Sequence, residues 1–123
     1  MGAGAVGGYM GALLARAGHP VTLIARGDHL RAIRSRGLQV HSELGDFSVR
    51  TEATDQPTDV GPVDLVLFTV KTYHNEDAIP QVRPLVSDET TVLALQNGAT
   101  TWEEVRDGLG VGHVLPGAVY IEA

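Results

Sequence analysis

The chain of 123 residues contains no cysteine, which excludes disulfides and thiolate chemistry. Aromatic residues make up only 5% of it, too few for a base-stacking surface. Positive charge is also scarce. Nine Lys and Arg stand against fifteen Asp and Glu, and the net charge of −6 disfavours non-specific nucleic-acid binding. Long apolar runs are lacking: the longest are strand-sized, so no segment reads as a membrane span. The opening residues have no basic stretch of the secretory type, and the expected location is cytoplasmic. No repeat or low-complexity tract interrupts the chain. The length suits one domain with a real core.

Glycine and short apolar segments are what the chain has in quantity. Gly2, Gly4 and Gly7 spell G-x-G-x-x-G, followed by Val6, Met10, Leu13, Leu14 and Ala17 at helical spacing. Gly7 and Gly11 stand one turn apart, which would let this helix lie close to a sheet. Gly18 reads as its C-cap. Val21–Ala25 reads as a buried strand, and Asp28 as the N-cap of a helix running to Arg36, closed by Gly37. Leu38–His41 and Phe47–Thr51 read as two strands around a turn at Leu44–Asp46, and Thr54–Pro62 as a loop.

Asp64–Val70 is the clearest strand, apolar enough to be covered on both faces. A helix from Asn75 to Leu85 follows, entered or kinked near Pro80. Thr91–Leu95 reads as a strand, Thr100–Leu109 as a helix and Val114–Ile121 as a last strand. The alternation predicts an α/β fold: a Rossmann-like, doubly wound, mostly parallel sheet with helices on both faces.

Ligands of such sheets bind beyond the carboxyl ends of the strands. The residues at those positions are the glycine turn, Arg26, Lys71 and Asn97-Gly98. In the turn, Gly2 permits the tight bend, Gly4 leaves the backbone open to a pyrophosphate, and Gly7 allows close helix packing. The helix then aims its unpaired N–H groups at the phosphates. Glycine is 15 of 123 residues, so the motif alone is weak, and its weight comes from the downstream residues.

NAD sites usually carry Asp or Glu about twenty residues past the glycines. Here Ala25-Arg26 stands there, and a guanidinium suits a 2′-phosphate, favouring NADP. Asp28 argues for NAD, although its position suits a helix cap. Arg31, Arg34 and Arg36 read mostly as a solvated face. Lys71 is placed to bind cofactor or polarise a carbonyl, and Asn97 to hydrogen-bond a ribose or a substrate hydroxyl. The histidines at 19, 29, 41, 74 and 113 show no metal-ligand spacing. Glu103 and Glu104 read as surface.

The segments "GAGAVGGYMGALLARAGHPVTLIARG", "DLVLFTVKTYHNEDA" and "VLALQNG" together resemble ketopantoate reductase, also called 2-dehydropantoate 2-reductase. The resemblance spans the whole chain. It implies an NADPH-dependent reduction of 2-dehydropantoate to pantoate, on the route to pantothenate and coenzyme A, in a protein that is a homodimer at full length. The implied cofactor contacts are Gly2, Ala3, Gly4, Ala5, Val6, Gly7, Arg26, Lys71, Asn97 and a backbone contact near Ala123, with Asn97 also touching substrate.

The resemblance also implies two departures. The family opens with a strand of the type M-[KR]-I-A-V-[IM], and this sequence starts at what would be its last residue. The family's second, helical domain supplies a general-acid lysine and a glutamate that match nothing here. Residues 1–123 are therefore expected to form the dinucleotide-binding domain, with the first strand truncated and no catalytic residue of its own. A stand-alone NADP-binding or sensing module and a reductase of another 2-oxo acid are the alternative readings. Two inner strands with open edges would leave the isolated chain poorly soluble or molten, with weak NADPH binding.

Overall fold

The computed structural model describes residues 1–110 and 113–120. Its elements alternate: α1 (Ala5–Arg16), β1 (Thr22–Ile24), α2 (Gly27–Arg36), β2 (Leu38–Val40), β3 (Phe47–Val49), β4 (Glu52–Thr54), β5 (Leu65–Phe68), α3 (Asn75–Val82), β6 (Thr91–Ala94), α4 (Thr101–Leu109) and β7 (Val114–Pro116). β1 pairs in parallel with β4, and β5, β6 and β7 form a parallel ladder in that order. β2 and β3 form an antiparallel hairpin. The fold is thus α/β with parallel strands and helices. No helix among the described residues is long and apolar enough to cross a membrane.

Two cores hold it together. In the first, Val66 and Phe68 of β5 and Val92 of β6 pack against Ala78, Ile79 and Val82 of α3 and Val105 and Leu109 of α4. The i, i+4 spacing of Val105 and Leu109 gives α4 one apolar stripe. The two helices approach closely at Gly108, where a β-carbon would meet Ile79 Cγ2 at 2.7 Å. In the second core, Leu23 and Ala25 meet Leu30 and Ile33 of α2, Leu38, Val40 and Ala53.

Several details differ from the sequence expectation. The buried face of α1 consists of Gly8, Gly11 and Ala12, while Leu13 is 38% exposed. The helix lies so close to β1 that a β-carbon on Gly11 would meet Leu23 Cδ2 at 2.9 Å, and the Leu23 side chain would have to shift to accept one. Asp28 does not cap α2. Arg26 occupies the N-cap, and Asp28 sits in the first turn, paired with Arg31.

The strand from Phe47 ends at Val49, and Glu52–Thr54 forms β4 across the start of the expected loop. Pairing with β1 makes those three residues a strand, since Glu-Ala-Thr has little strand preference of its own. α3 ends at Val82 and tightens to a 3-10 turn at Arg83–Leu85. β7 stops at Pro116, although Gly117 N–H still bonds the Ala94 carbonyl (2.9 Å), and Ile121 lies outside the described residues. β5 is not covered on both faces: Val66 and Phe68 are buried, but Leu65 is 46% exposed.

Candidate functional site

The turn from Met1 to Gly4 is held by three elements. Thr69 N–H donates to the Met1 carbonyl (2.9 Å), and the Thr69 hydroxyl lies 2.6 Å from the Gly2 carbonyl. Ala3 N–H donates to Ile24 (3.3 Å), and His29 Nε2 donates to the Ala3 carbonyl (2.6 Å). Gly2 has φ +92°, in the left-handed region, with the Val70 backbone where a β-carbon would stand. A β-carbon on Gly7 would collide with the Gly2 carbonyl and the Thr69 hydroxyl. Gly4, the N-cap of α1, has nothing within 4 Å of its would-be β-carbon. α1 begins with no side-chain cap and no acidic residue in its first turn. That leaves its dipole and amide groups directed at the open space beside Gly4.

A cleft of about 640 Å³ opens at the carboxyl ends of β5, β6 and β7. Val6, Lys71 and Asn97 all line it, with Thr69, Trp102 and Tyr120. Its rim is braced from below. Gln96 Nε2 donates to the Val70 carbonyl (2.8 Å) and to Asn75 Oδ1 (2.6 Å). Asn75, 1% exposed, donates from Nδ2 to Glu104 Oε2 (3.0 Å). Glu104, expected as plain surface, is therefore the outer anchor of a buried amide network.

Of the residues singled out in the sequence, the fold brings Val6, Lys71 and Asn97 to one cleft. Gly2, Ala3, Gly4, Ala5 and Gly7 form the adjoining turn and helix start. Arg26 does not line the cleft; it stands at the end of β1, next to Ala25, which shares a core with Ala3. Ala123 lies outside the described residues. Among the described residues, the side chains of Arg26, Lys71 and Asn97 make no hydrogen bond or ion pair. Asn75, Gln96, Thr69 and His29 went unmarked in the sequence. The one available signal was Gln96, a polar residue closing an apolar strand.

Comparison with known proteins identifies the family. The family profile of ketopantoate reductase PanE/ApbA matches residues 1–123. A 2-dehydropantoate 2-reductase of Pyrococcus horikoshii is 41% identical over 107 residues, covering 87% of this chain and 35% of that protein. The crystal structure of 2-dehydropantoate 2-reductase from Porphyromonas gingivalis superposes with a TM-score of 0.87 at 43% identity, covering 97% of this chain and 44% of that one. A ternary structure of D-mandelate dehydrogenase with NADH and anilino(oxo)acetate gives a TM-score of 0.85 at 25% identity, over 95% of this chain and 38% of that one. The chain thus spans well under half the length of these relatives, and it belongs to the ketopantoate reductase PanE/ApbA family, matching its N-terminal part.

Proposed function

We propose that this chain is the NADPH-binding domain of a 2-dehydropantoate 2-reductase, with the doubly wound Rossmann arrangement of such domains. The observation that carries the reading is the placement of Lys71 and Asn97 in one cleft beside the start of α1, at the ends of parallel strands. The residues fit a dinucleotide. The left-handed Gly2 and the clear space at Gly4 make a cradle that a β-carbon would narrow, and α1 presents N–H groups and no negative charge to it.

In this reading Gly2–Gly7 bind the pyrophosphate, and Arg26 pairs with a ribose 2′-phosphate. Bound NADPH supplies a hydride to the carbonyl carbon of a 2-oxo acid. Lys71, from the end of β5, binds and orients the nicotinamide half of the cofactor. Asn97 hydrogen-bonds the nicotinamide ribose and the substrate. The proton for the new hydroxyl comes from a lysine outside these residues, so the chain alone carries no catalytic residue and is expected to show no appreciable turnover.

In the complete enzyme, replacing Lys71 or Asn97 by Ala is expected to weaken NADPH binding, followed by cofactor fluorescence, by tenfold or more while leaving the thermal midpoint in place. Unchanged affinity in both variants would contradict the assignment. A reductase of a different 2-oxo acid is the second reading, favoured by the fold match to a D-mandelate dehydrogenase. Substrate competition by 2-dehydropantoate against aryl 2-oxo acids in the complete enzyme separates the two.

A further inference from the structure

α2 and the glycine turn are joined by one side chain. His29, in the first turn of α2, donates from Nε2 to the Ala3 carbonyl at 2.6 Å, across 26 residues of sequence. A carbonyl only accepts, so Nε2 carries the proton whether the ring is neutral or charged. Ala3 precedes the N-cap Gly4, so its carbonyl lies outside the helical ladder, whose first bond runs from Gly8 N–H to the Gly4 carbonyl. Among the described residues, no backbone amide bonds the Ala3 carbonyl, and His29 is its partner.

The peptide held in this way is the one between Ala3 and Gly4. It is trans, so its C=O and N–H point in opposite directions. With the carbonyl turned to α2, the Gly4 N–H is turned away from α2. Gly4 is also the residue whose would-be β-carbon meets nothing within 4 Å. His29 therefore sets the direction of an amide at the open head of α1. Ala3 stands between two glycines, which leave the turn dependent on what grips Ala3 itself. Of its two backbone hydrogen bonds, the His29 bond at 2.6 Å is shorter than the one from its N–H to Ile24 at 3.3 Å.

The same turn of α2 carries Arg26, which is the N-cap, with His29 three residues on. Leu30 and Ile33 fasten α2 into the core that also holds Ala3. One short segment thus bears the cation assigned above to the 2′-phosphate and the grip on the turn assigned to the pyrophosphate. His29 does not line the cleft of Lys71 and Asn97.

We propose that His29 is a positioning residue for nucleotide binding: its Nε2–H fixes the Ala3–Gly4 peptide, and with it the pyrophosphate turn, against the helix that carries Arg26. The inference rests on the nucleotide reading above. The pyrophosphate is common to NADPH and NADH, so losing this bond weakens both alike, whereas Arg26 acts on NADPH alone. The contact needs an N–H at the reach of Nε2 and needs no charge. The amide nitrogen of a glutamine has that reach, and that of an asparagine falls short by a methylene.

The test compares His29→Asn and His29→Gln in the complete enzyme, titrated with NADPH and with NADH by cofactor fluorescence. Both variants keep a polar amide at an exposed position, so the thermal midpoint of the nucleotide-free enzyme is expected to hold. His29→Asn is expected to weaken both nucleotides by about tenfold, to raise KM for NADPH by a like factor and to leave kcat within about twofold. His29→Gln is expected to restore both affinities to within about threefold of the parent. Parent-like binding of both nucleotides by His29→Asn overturns the proposal. So does a loss confined to NADPH, which would put His29 at the 2′-phosphate. A His29→Gln enzyme as weak as His29→Asn would require the ring itself and also overturns it. A parent enzyme that binds neither nucleotide removes the nucleotide reading, and this inference falls with it.

Discussion

Gln96, at the end of β6, donates a 2.6 Å hydrogen bond to Asn75 at the start of α3, and through it the rim of the candidate site is tied to a helix. Asn75 is almost fully buried and holds both Gln96 and Glu104, so its loss strands polar groups. Asn75→Ala is expected to lower stability by about 1–3 kcal/mol, measured by denaturant unfolding. Glu104→Gln, at an exposed position that keeps an acceptor, is expected to cost less than about 0.5 kcal/mol. Equal losses would show that the network does not brace the rim.

The glycines of the turn separate stability from binding. Gly7→Ala drives a methyl into the Gly2 carbonyl and the Thr69 hydroxyl and is expected to lower the thermal midpoint and nucleotide affinity together. Gly4→Ala meets nothing within 4 Å and keeps an ordinary φ of −77°. It is expected to leave stability within about 0.5 kcal/mol and to weaken NADPH by at least tenfold. A Gly4→Ala variant that binds NADPH normally would remove the phosphate from this position.

Much of this was legible in the sequence, and the exceptions share a cause. β5, β6 and α4 were readable because their apolar spacing is local. β4 was not, because Glu52–Thr54 become a strand only by pairing with β1, which lies some thirty residues earlier in the sequence. The buried face of α1 was misread because the apolar set at 6, 10, 13, 14 and 17 looks like a core stripe. The face that is buried instead is Gly8, Gly11 and Ala12, with Gly11 closest to Leu23. That Lys71 and Asn97 would stand together past the ends of neighbouring strands was readable from the sequence, and both line the cleft. Asn75 was not, since a buried asparagine in a helix is recognisable only through its partners.

The Met1 amine gives the chain a pH signature. Burial lowers it from 8.0 to about 6, so folding favours its neutral form. Between those values the unfolded chain binds more protons than the folded one, and stability rises with pH across the window. Two units correspond to at most about 2.7 kcal/mol, reduced because Met1 is only partly buried. Denaturant unfolding at about pH 5.5 and about pH 8.5, near the two ends of that window, is expected to show the rise in the free chain. The N-acetylated chain, which keeps the N–H and loses the charge, is expected to show a smaller one. Identical pH dependence in both would contradict the assignment.

The central claim is that Arg26 makes this an NADP site, and paired titrations of NADPH and NADH test it most directly. The complete enzyme is expected to prefer NADPH by about ten- to a hundredfold, the worth of one charge-assisted contact of roughly 1.5–3 kcal/mol. Arg26→Ala is expected to remove that preference while leaving NADH affinity nearly unchanged. Equal loss for both nucleotides, or a preference that survives the substitution, would contradict the 2′-phosphate role.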